Sequence, residues 1–396
     1  MDLFEKCRQP SLVHELRKNN IYPYFHALQS KQDTEVIMEG KRRIMLGSNN
    51  YLGLTTCPEV IEATKEAISQ YGTGCSGSRF LNGTLQMHLT LEEELATFLK
   101  KEAAMIFSTG FQSNLGIISA IAGHGDFILS DKENHASIYD ACKLSYARTY
   151  NYVHNDMEDL ERLLKNCATK GGVLIVTDGV FSMTGELANL PQIVKLARKY
   201  GARILVDDAH GLGVLGEGGR GTASHFGLDD EVDIYMGTFS KSLASLGGYM
   251  AAKAEVIDFV RHTSRPFIFS ASIPPACCAS ALAALRYLQA HPEIVSRLSA
   301  LSNYARSGLI ERGISIMEAA TPIIPIFTYD TYNTLLKAKE IYDAGVYLNP
   351  VLPPATAPDA CLLRMSCMAS FNENLIDEAI NMIASKMVDK ACVKSL

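Results

Sequence analysis

No stretch of the chain approaches the ~18 uninterrupted apolar residues of a membrane-spanning helix, which excludes an integral helical membrane protein. The first twenty residues, MDLFEKCRQPSLVHELRKNN, are charged throughout and lack the apolar centre of a signal peptide, so no secretory leader is expected. Basic residues are in the minority, 37 Lys+Arg against 43 Asp+Glu for a formal net charge of −6. That balance argues against a nucleic-acid partner, whose footprint is a basic patch. The ten cysteines, at positions 7, 57, 75, 142, 167, 277, 278, 361, 367 and 392, form no C-x-x-C pair. Their scatter fits free thiols in a reducing cytoplasm better than a disulfide framework or a zinc site, so no metal is expected. Internal repeats, low-complexity tracts and long linkers are absent too.

What is present is an ordinary globular composition, 47% hydrophobic and 20% charged, over 396 residues. That length exceeds what one hydrophobic core usually supports, so two or more packed units are expected. Residues 58–71, PEVIEATKEAISQY, have apolar side chains at helical spacing behind an initial proline, and HLTLEEELATFLK (88–100) reads as a second amphipathic helix. From about residue 104, short apolar runs alternate with helix-length segments. AAMIFSTG leads to a helix from Ser113, DFILSD to one from Ala136, and GGVLIVTDGVFSM to one from Pro191, before ARILVDDAH and VDIYMGTFSK. This alternation predicts an α/β fold with a mostly parallel, doubly wound sheet. After Pro274-Pro275 a long helix (276–290), PIIPIFTYD, a helix, GVYLNPVLPPAT, CLLRMSCMAS and a final helix read as a smaller α+β unit. The expected division is an N-terminal segment 1–47, a large domain 48–275 and a C-terminal domain 276–396.

Ligands of doubly wound sheets bind beyond the carboxyl ends of the strands. Ser108-Thr109-Gly110, His135, Ser182, Asp207 with His210, and Lys241 all fall at such ends. The run Gly211–Gly216 matches G-x-G-x-x-G, but it continues as EGGRGTASHFG without the helix that a dinucleotide pyrophosphate requires. An irregular glycine loop is the better reading. Asp207 in VDDAH and Lys241 in GTFSK would emerge at neighbouring strand ends and could reach one ligand from two sides. Taken singly, a surface lysine and a strand-end acid are the commoner explanations. Together with the hydroxyls of Thr238 and Ser240 they suit pyridoxal phosphate, whose aldehyde bonds a lysine and whose ring nitrogen pairs with an acid.

Motifs from residue 22 to about 370 resemble the α-oxoamine synthases, a fold type I pyridoxal phosphate family that condenses an amino acid with an acyl-CoA. The resemblance is carried by SNNYLGL (48–54), GSRFLNGT (77–84), STGFQSNLG (108–116), SDKENHASI (130–138), VFSMTGELANL (180–190), VDDAHGLG (206–213) and GTFSKS (237–242). It implies Lys241 as Schiff-base and acid–base group, Asp207 beside the pyridinium nitrogen and His135 stacked on the ring. His135 could otherwise cap the following helix. His210 and Ser182 would lie near the phenolic oxygen. Gly110 and Phe111 would offer backbone N–H groups to the phosphate, with Thr238 and Ser240 adding hydroxyls. Ser270 or Ser272 of FSAS would reach the cofactor of a partner subunit, which implies a homodimer with shared active sites. Asn49 and Arg364 would hold the substrate carboxylate, the arginine through its two-pronged fork.

Within the family, YPYF (22–25), LNGT (81–84), HNDMEDL (154–160), FSASIPP (269–275) and NPVLPPAT (349–356) resemble the branch that uses L-serine and a long-chain acyl-CoA. Membrane contact by such an enzyme would be transient at most. In one place the chain departs from the pattern. Where the family usually has a small residue and then His-Thr, it reads CMASFNEN (367–374). A relative using glycine and acetyl-CoA is the nearest alternative, against which LNGT and PPAT argue. A non-catalytic partner of the same fold is another, and the presence of Lys241 argues against it.

Overall fold

The computed structural model describes residues 2–387. Thirteen strands among them form three sheets. In chain order they are β1 (Glu35–Met38), β2 (Lys41–Met45), β3 (Ala103–Phe107), β4 (Phe127–Asp131), β5 (Arg148–Tyr152), β6 (Val173–Asp178), β7 (Arg203–Asp207), β8 (Ile234–Thr238), β9 (Gly248–Ala252), β10 (Ile323–Tyr329), β11 (Val346–Tyr347), β12 (Asn349–Val351) and β13 (Cys361–Ser366).

The central sheet has the order β3-β9-β8-β7-β6-β4-β5. Strands β5, β4, β6, β7 and β8 run parallel, and β9 lies antiparallel between β8 and β3. Helices cover both faces, so β4, β6, β8 and β9 are buried along their whole length, as strands with two apolar faces must be. One core cluster gathers side chains such as Met105, Ile117, Ile138 and Leu205 from one face. A larger one joins Ile106, Leu129, Ile175 and Val206 on the other to the C-terminal layers. The expected α/β fold with a mostly parallel sheet is the one found.

Two strands of the central sheet were not legible. β5 is an edge strand with only Tyr152 buried, and its RTYNY carries no apolar run. β9, GYMAA, is short and starts with glycine. Helix boundaries shift slightly. The second amphipathic helix spans Gln86–Phe98. The helix expected from Ser113 begins one turn earlier, at Gly110, because the Thr109 side chain caps it by accepting from the Gln112 N–H at 3.1 Å.

After β7 the glycine loop is irregular, with a 3₁₀ turn at Glu217–Gly219 and a four-residue helix at Thr222–His225. Buried Asp208 organises it by accepting from the backbone N–H and hydroxyl of Thr222. Gly221 has φ +107°, and a Cβ there would stand 1.8 Å from an Asp208 oxygen, so only glycine fits.

The second sheet, β10-β13-β12, is antiparallel. The third joins distant parts of the chain, since β2 pairs in parallel with β11 through Ile44 and Val346. The Ser366 N–H donates to the Leu46 carbonyl and the Ala369 N–H to that of Tyr51. The run from Leu46 to Tyr51 is thereby laced to β13, which brings Asn49, Tyr51 and Arg364 into one wall.

Candidate active site

Lys241 follows β8, and Asp207 is the last residue of β7, its neighbour in the sheet. Both line a cavity of about 280 Å³ with Gly110, Phe111, His135, Ser182, His210, Thr238 and Ser240. Burial lowers the Lys241 pKa to about 8, against the opposite pull of Asp207. A substantial share of its amine is therefore neutral near physiological pH.

Asp207 is held on both oxygens. One accepts from the Asn114 side-chain amide at 2.7 Å and the other from the Ala209 N–H at 3.0 Å. The same Asn114 amide donates to the Ser137 hydroxyl at 2.8 Å. That hydroxyl lies 2.7 Å from Nδ1 of His135, which also accepts from the Ser137 N–H. Nδ1 is thus an acceptor, and the ring proton sits on Nε2. Burial lowers the pKa of this histidine, which favours the neutral ring. His135 caps its helix and faces the cavity at once, so the two expectations for it are compatible.

Asp178 ends β6 in register with Asp207. One oxygen accepts from the His135 N–H at 3.1 Å, and the other has no hydrogen-bond partner. Burial, with Asp207 close by, pushes its pKa well up and favours the neutral acid.

At the opposite end, the helix starting at Gly110 presents its first N–H groups beside Thr238. The Thr238 hydroxyl contacts that of Ser240 at 2.9 Å and donates to the Gly247 carbonyl at 2.8 Å. A Cβ on Gly110 would lie 2.9 Å from that of Thr238, so helix and strand end meet closely. Such a helix start with hydroxyls is a cradle for an anion.

A third group lines the wall next to Lys241. Buried Arg364 donates through Nε to the Ser182 carbonyl and through a terminal nitrogen to the Tyr51 hydroxyl at 3.1 Å. The same hydroxyl makes a hydrogen bond with Nδ1 of His210, 2.7 Å away, and lies 3.4 Å from Oδ1 of Asn49 as a donor. Burial and the cationic Lys241 and Arg364 depress the His210 pKa far below its usual range, which fits a neutral ring. Asn49 sits beside this group in a larger groove of about 770 Å³, which shares His135, Ser182, His210 and Lys241 with the cavity.

Eleven of the thirteen expected residues therefore meet around Lys241. Ser270 and Ser272 line neither space. Ser270 accepts from the Gln112 side chain, and Ser272 donates to the Gly77 carbonyl, stitching FSAS to GSRFLNGT. Asn114, Ser137, Tyr51 and Asp178 were not foreseen. Asn114 did leave a signal, as a polar residue one helical turn from Gly110 on a face that continues into buried Ile117 and Ile118.

The residues present fit pyridoxal phosphate. A depressed lysine, an acid at the adjoining strand end, an anion cradle opposite them and a neutral histidine between are what its aldehyde, ring nitrogen, phosphate and ring face require. Sheet and site together define a pyridoxal-phosphate-dependent transferase of fold type I. The chain belongs to the aminotransferase class I and II family, whose profile matches residues 41–383. It is 49% identical over 394 residues to a serine palmitoyltransferase of Sphingobacterium spiritivorum, covering 100% of this chain and 98% of the relative. Identity to an 8-amino-7-oxononanoate synthase of Geobacter sulfurreducens is 42% over 375 residues, covering 94% and 96%. Among solved structures, a serine palmitoyltransferase with a PLP internal aldimine superposes with a TM-score of 0.94 at 35% identity, over 98% of both chains.

Proposed function

We infer that this chain is a serine palmitoyltransferase. It condenses L-serine with palmitoyl-CoA to 3-ketodihydrosphingosine, releasing CoA and carbon dioxide. The observation that carries the reading is the junction at Lys241. There a cofactor-shaped cavity, the Arg364–Tyr51 wall and a groove with a long apolar stretch meet at one amine.

When bound, pyridoxal phosphate supplies an aldehyde that joins the amino group and a pyridinium ring that absorbs carbanion charge. Lys241 would hold it, with Asp207 at the ring nitrogen, His135 against the ring face, and His210 near the phenolic oxygen. Gly110, Phe111, Thr238 and Ser240 would hold the phosphate. The serine carboxylate is received by the remaining guanidinium nitrogen of Arg364, assisted by the Asn49 amide. Its α-carbon then faces Lys241, whose partly neutral amine takes the α-proton and later returns one. Asn114 keeps Asp207 and His135 in a fixed relation during these transfers.

The active form we propose is a homodimer with shared sites. Supporting it, Leu81 and Phe269 are 77% and 76% exposed beside Ser270 and Ser272, an apolar face that suits a second copy. A cytoplasmic setting accords with nine free cysteines among the described residues, Cys392 lying outside them. No helix among the described residues is long and apolar enough to cross a membrane.

The test crosses L-serine, glycine and L-alanine with palmitoyl-CoA and acetyl-CoA and follows CoA release by chromatography. Release confined to serine with palmitoyl-CoA is expected. Release with glycine and acetyl-CoA instead would keep the fold and Lys241 but overturn the lipid reaction.

A further inference from the structure

Part of the N-terminal segment walls the groove that opens on Lys241. The helix Leu12–Lys18 places Leu12, Val13 and Leu16 along the groove, with Tyr24 beside them. These three share a helix face, and Leu16 is anchored in a small core with Ile21 and Leu335. Leu12 and Val13 are left 53% and 38% exposed, facing the open space. Pro350, Val351, Leu352, Pro353, Pro354 and Ala355 form the other wall. The groove is thus polar at its Lys241 end, where Asn49 and Arg364 stand, and apolar for much of the rest.

We propose that the helix Leu12–Lys18 and the 350–355 run form the subsite for the acyl chain of the thioester. In this arrangement Leu12 and Val13 set the preference for long chains. The inference rests on the acyl-CoA reaction proposed above. Two arms leave a thioester carbonyl poised at Lys241, the acyl chain and the pantetheine. Pantetheine carries two amides that need partners when buried. Away from the Lys241 end, the side chains of this groove offer hydroxyls at Tyr24 and Thr331, the Asn349 amide already donates to the Gly47 carbonyl, and the three prolines bring no N–H donor. An alkyl chain needs no partner, and it covers the exposed Leu12 and Val13.

The chain contains no tryptophan, so Leu12→Trp introduces a single tryptophan into the holoenzyme, excited at the red edge where the tyrosines do not absorb. Without serine, palmitoyl-CoA below its micelle concentration should shift the emission to the blue, and free CoA or hexanoyl-CoA should shift it far less. An equal shift with free CoA would assign the groove to the pantetheine arm and overturn the proposal. In turnover, Leu12→Asp and Val13→Asp should lower the palmitoyl-to-hexanoyl ratio of kcat/KM at least tenfold. Each methylene denied its apolar contact is worth about fourfold. Both positions are exposed, so folding should survive either change. A wild-type enzyme that turns over palmitoyl-CoA while both variants keep its ratio would sink this inference and leave the reaction standing. A wild type that releases no CoA from palmitoyl-CoA and serine would sink the reaction itself.

Discussion

Replacing Lys241 with methionine should stabilise the cofactor-free protein, although it removes the residue on which the chemistry turns. Burial holds the lysine pKa at about 8 instead of 10.5, so folding disfavours its ammonium form. The unfolded chain therefore binds more protons between those two values, and stability rises with pH across that window. Below pH 8 the cost is fully present, and above 10.5 it is gone. A shift of this size corresponds to about 3 kcal/mol. Lys241 is partly open to the water-accessible cavity, however, and screening there reduces the figure to about 1–2 kcal/mol. For a chain this long that is a rise in Tm of roughly 1–3 °C for Lys241→Met near pH 7. Thermal unfolding of both cofactor-free proteins from pH 6.5 to 10.5 checks it, since titrating groups remote from Lys241 cancel in the difference. The gap should close as pH rises. A variant no more stable than the wild type at pH 7, or a gap that widens with pH, would refute the reasoning. The same shift predicts that pyridoxal phosphate uptake by the wild type accelerates with a midpoint near pH 8.

Three further outcomes follow from the surrounding contacts. Asn114→Leu keeps volume but removes the donor shared by Asp207 and Ser137, and pyridoxal phosphate should bind at least tenfold more weakly in equilibrium dialysis. Tyr51→Phe leaves Nδ1 of His210 and a guanidinium N–H of Arg364 without their buried partner. Steady-state kinetics should show KM for serine up about tenfold, with a smaller loss in kcat, because the carboxylate-binding arginine loses its brace. Gly248→Ala would put a Cβ 2.7 Å from the Gly110 Cα, a backbone clash that must displace the helix start. Cofactor affinity should fall more than tenfold, with a lower Tm even before cofactor is added.

The parts of the fold legible in the sequence are those whose cause is local. β4, β6 and β8 are buried on both faces and announce themselves as continuous apolar runs, and the residues at their carboxyl ends are the site. Lys241 stood out because it follows a strand end next to that of Asp207, among the hydroxyls of Thr238 and Ser240. β5 left no such trace, since an edge strand needs no apolar face. Tyr51 and Asn114 were hidden for a different reason. Their roles come from partners 313, 159 and 93 residues away, and no local pattern encodes a contact of that span. The groove wall at Leu12 and Val13 is of the same kind, because an apolar helix face far from the motifs reads only as packing.

The departure at CMASFNEN can be judged on the same physical terms. In Ser370-Phe371-Asn372, Phe371 stands where a histidine would follow the small residue, and it is fully buried. So are Cys367, Met368 and Ala369, and no residue from 367 to 374 lines the cofactor cavity or the groove. Arg297 holds the turn by donating to the carbonyls of Ala369 and Phe371. Asn372 accepts from the Leu375 N–H at 2.9 Å as the final helix begins, the capping bond a threonine there would also make. Ser370 lies against Gly53, so a small residue is required on that side as well. The stretch thus performs a packing task, tying the strand that carries Arg364 to the segment that carries Tyr51. Phenylalanine meets that task by filling volume. Phe371→His should therefore cost stability, by burying a polar ring among apolar neighbours, and leave the preference among serine, glycine and alanine unchanged. A switch in amino-acid preference in that variant would show that the position reaches the substrate after all.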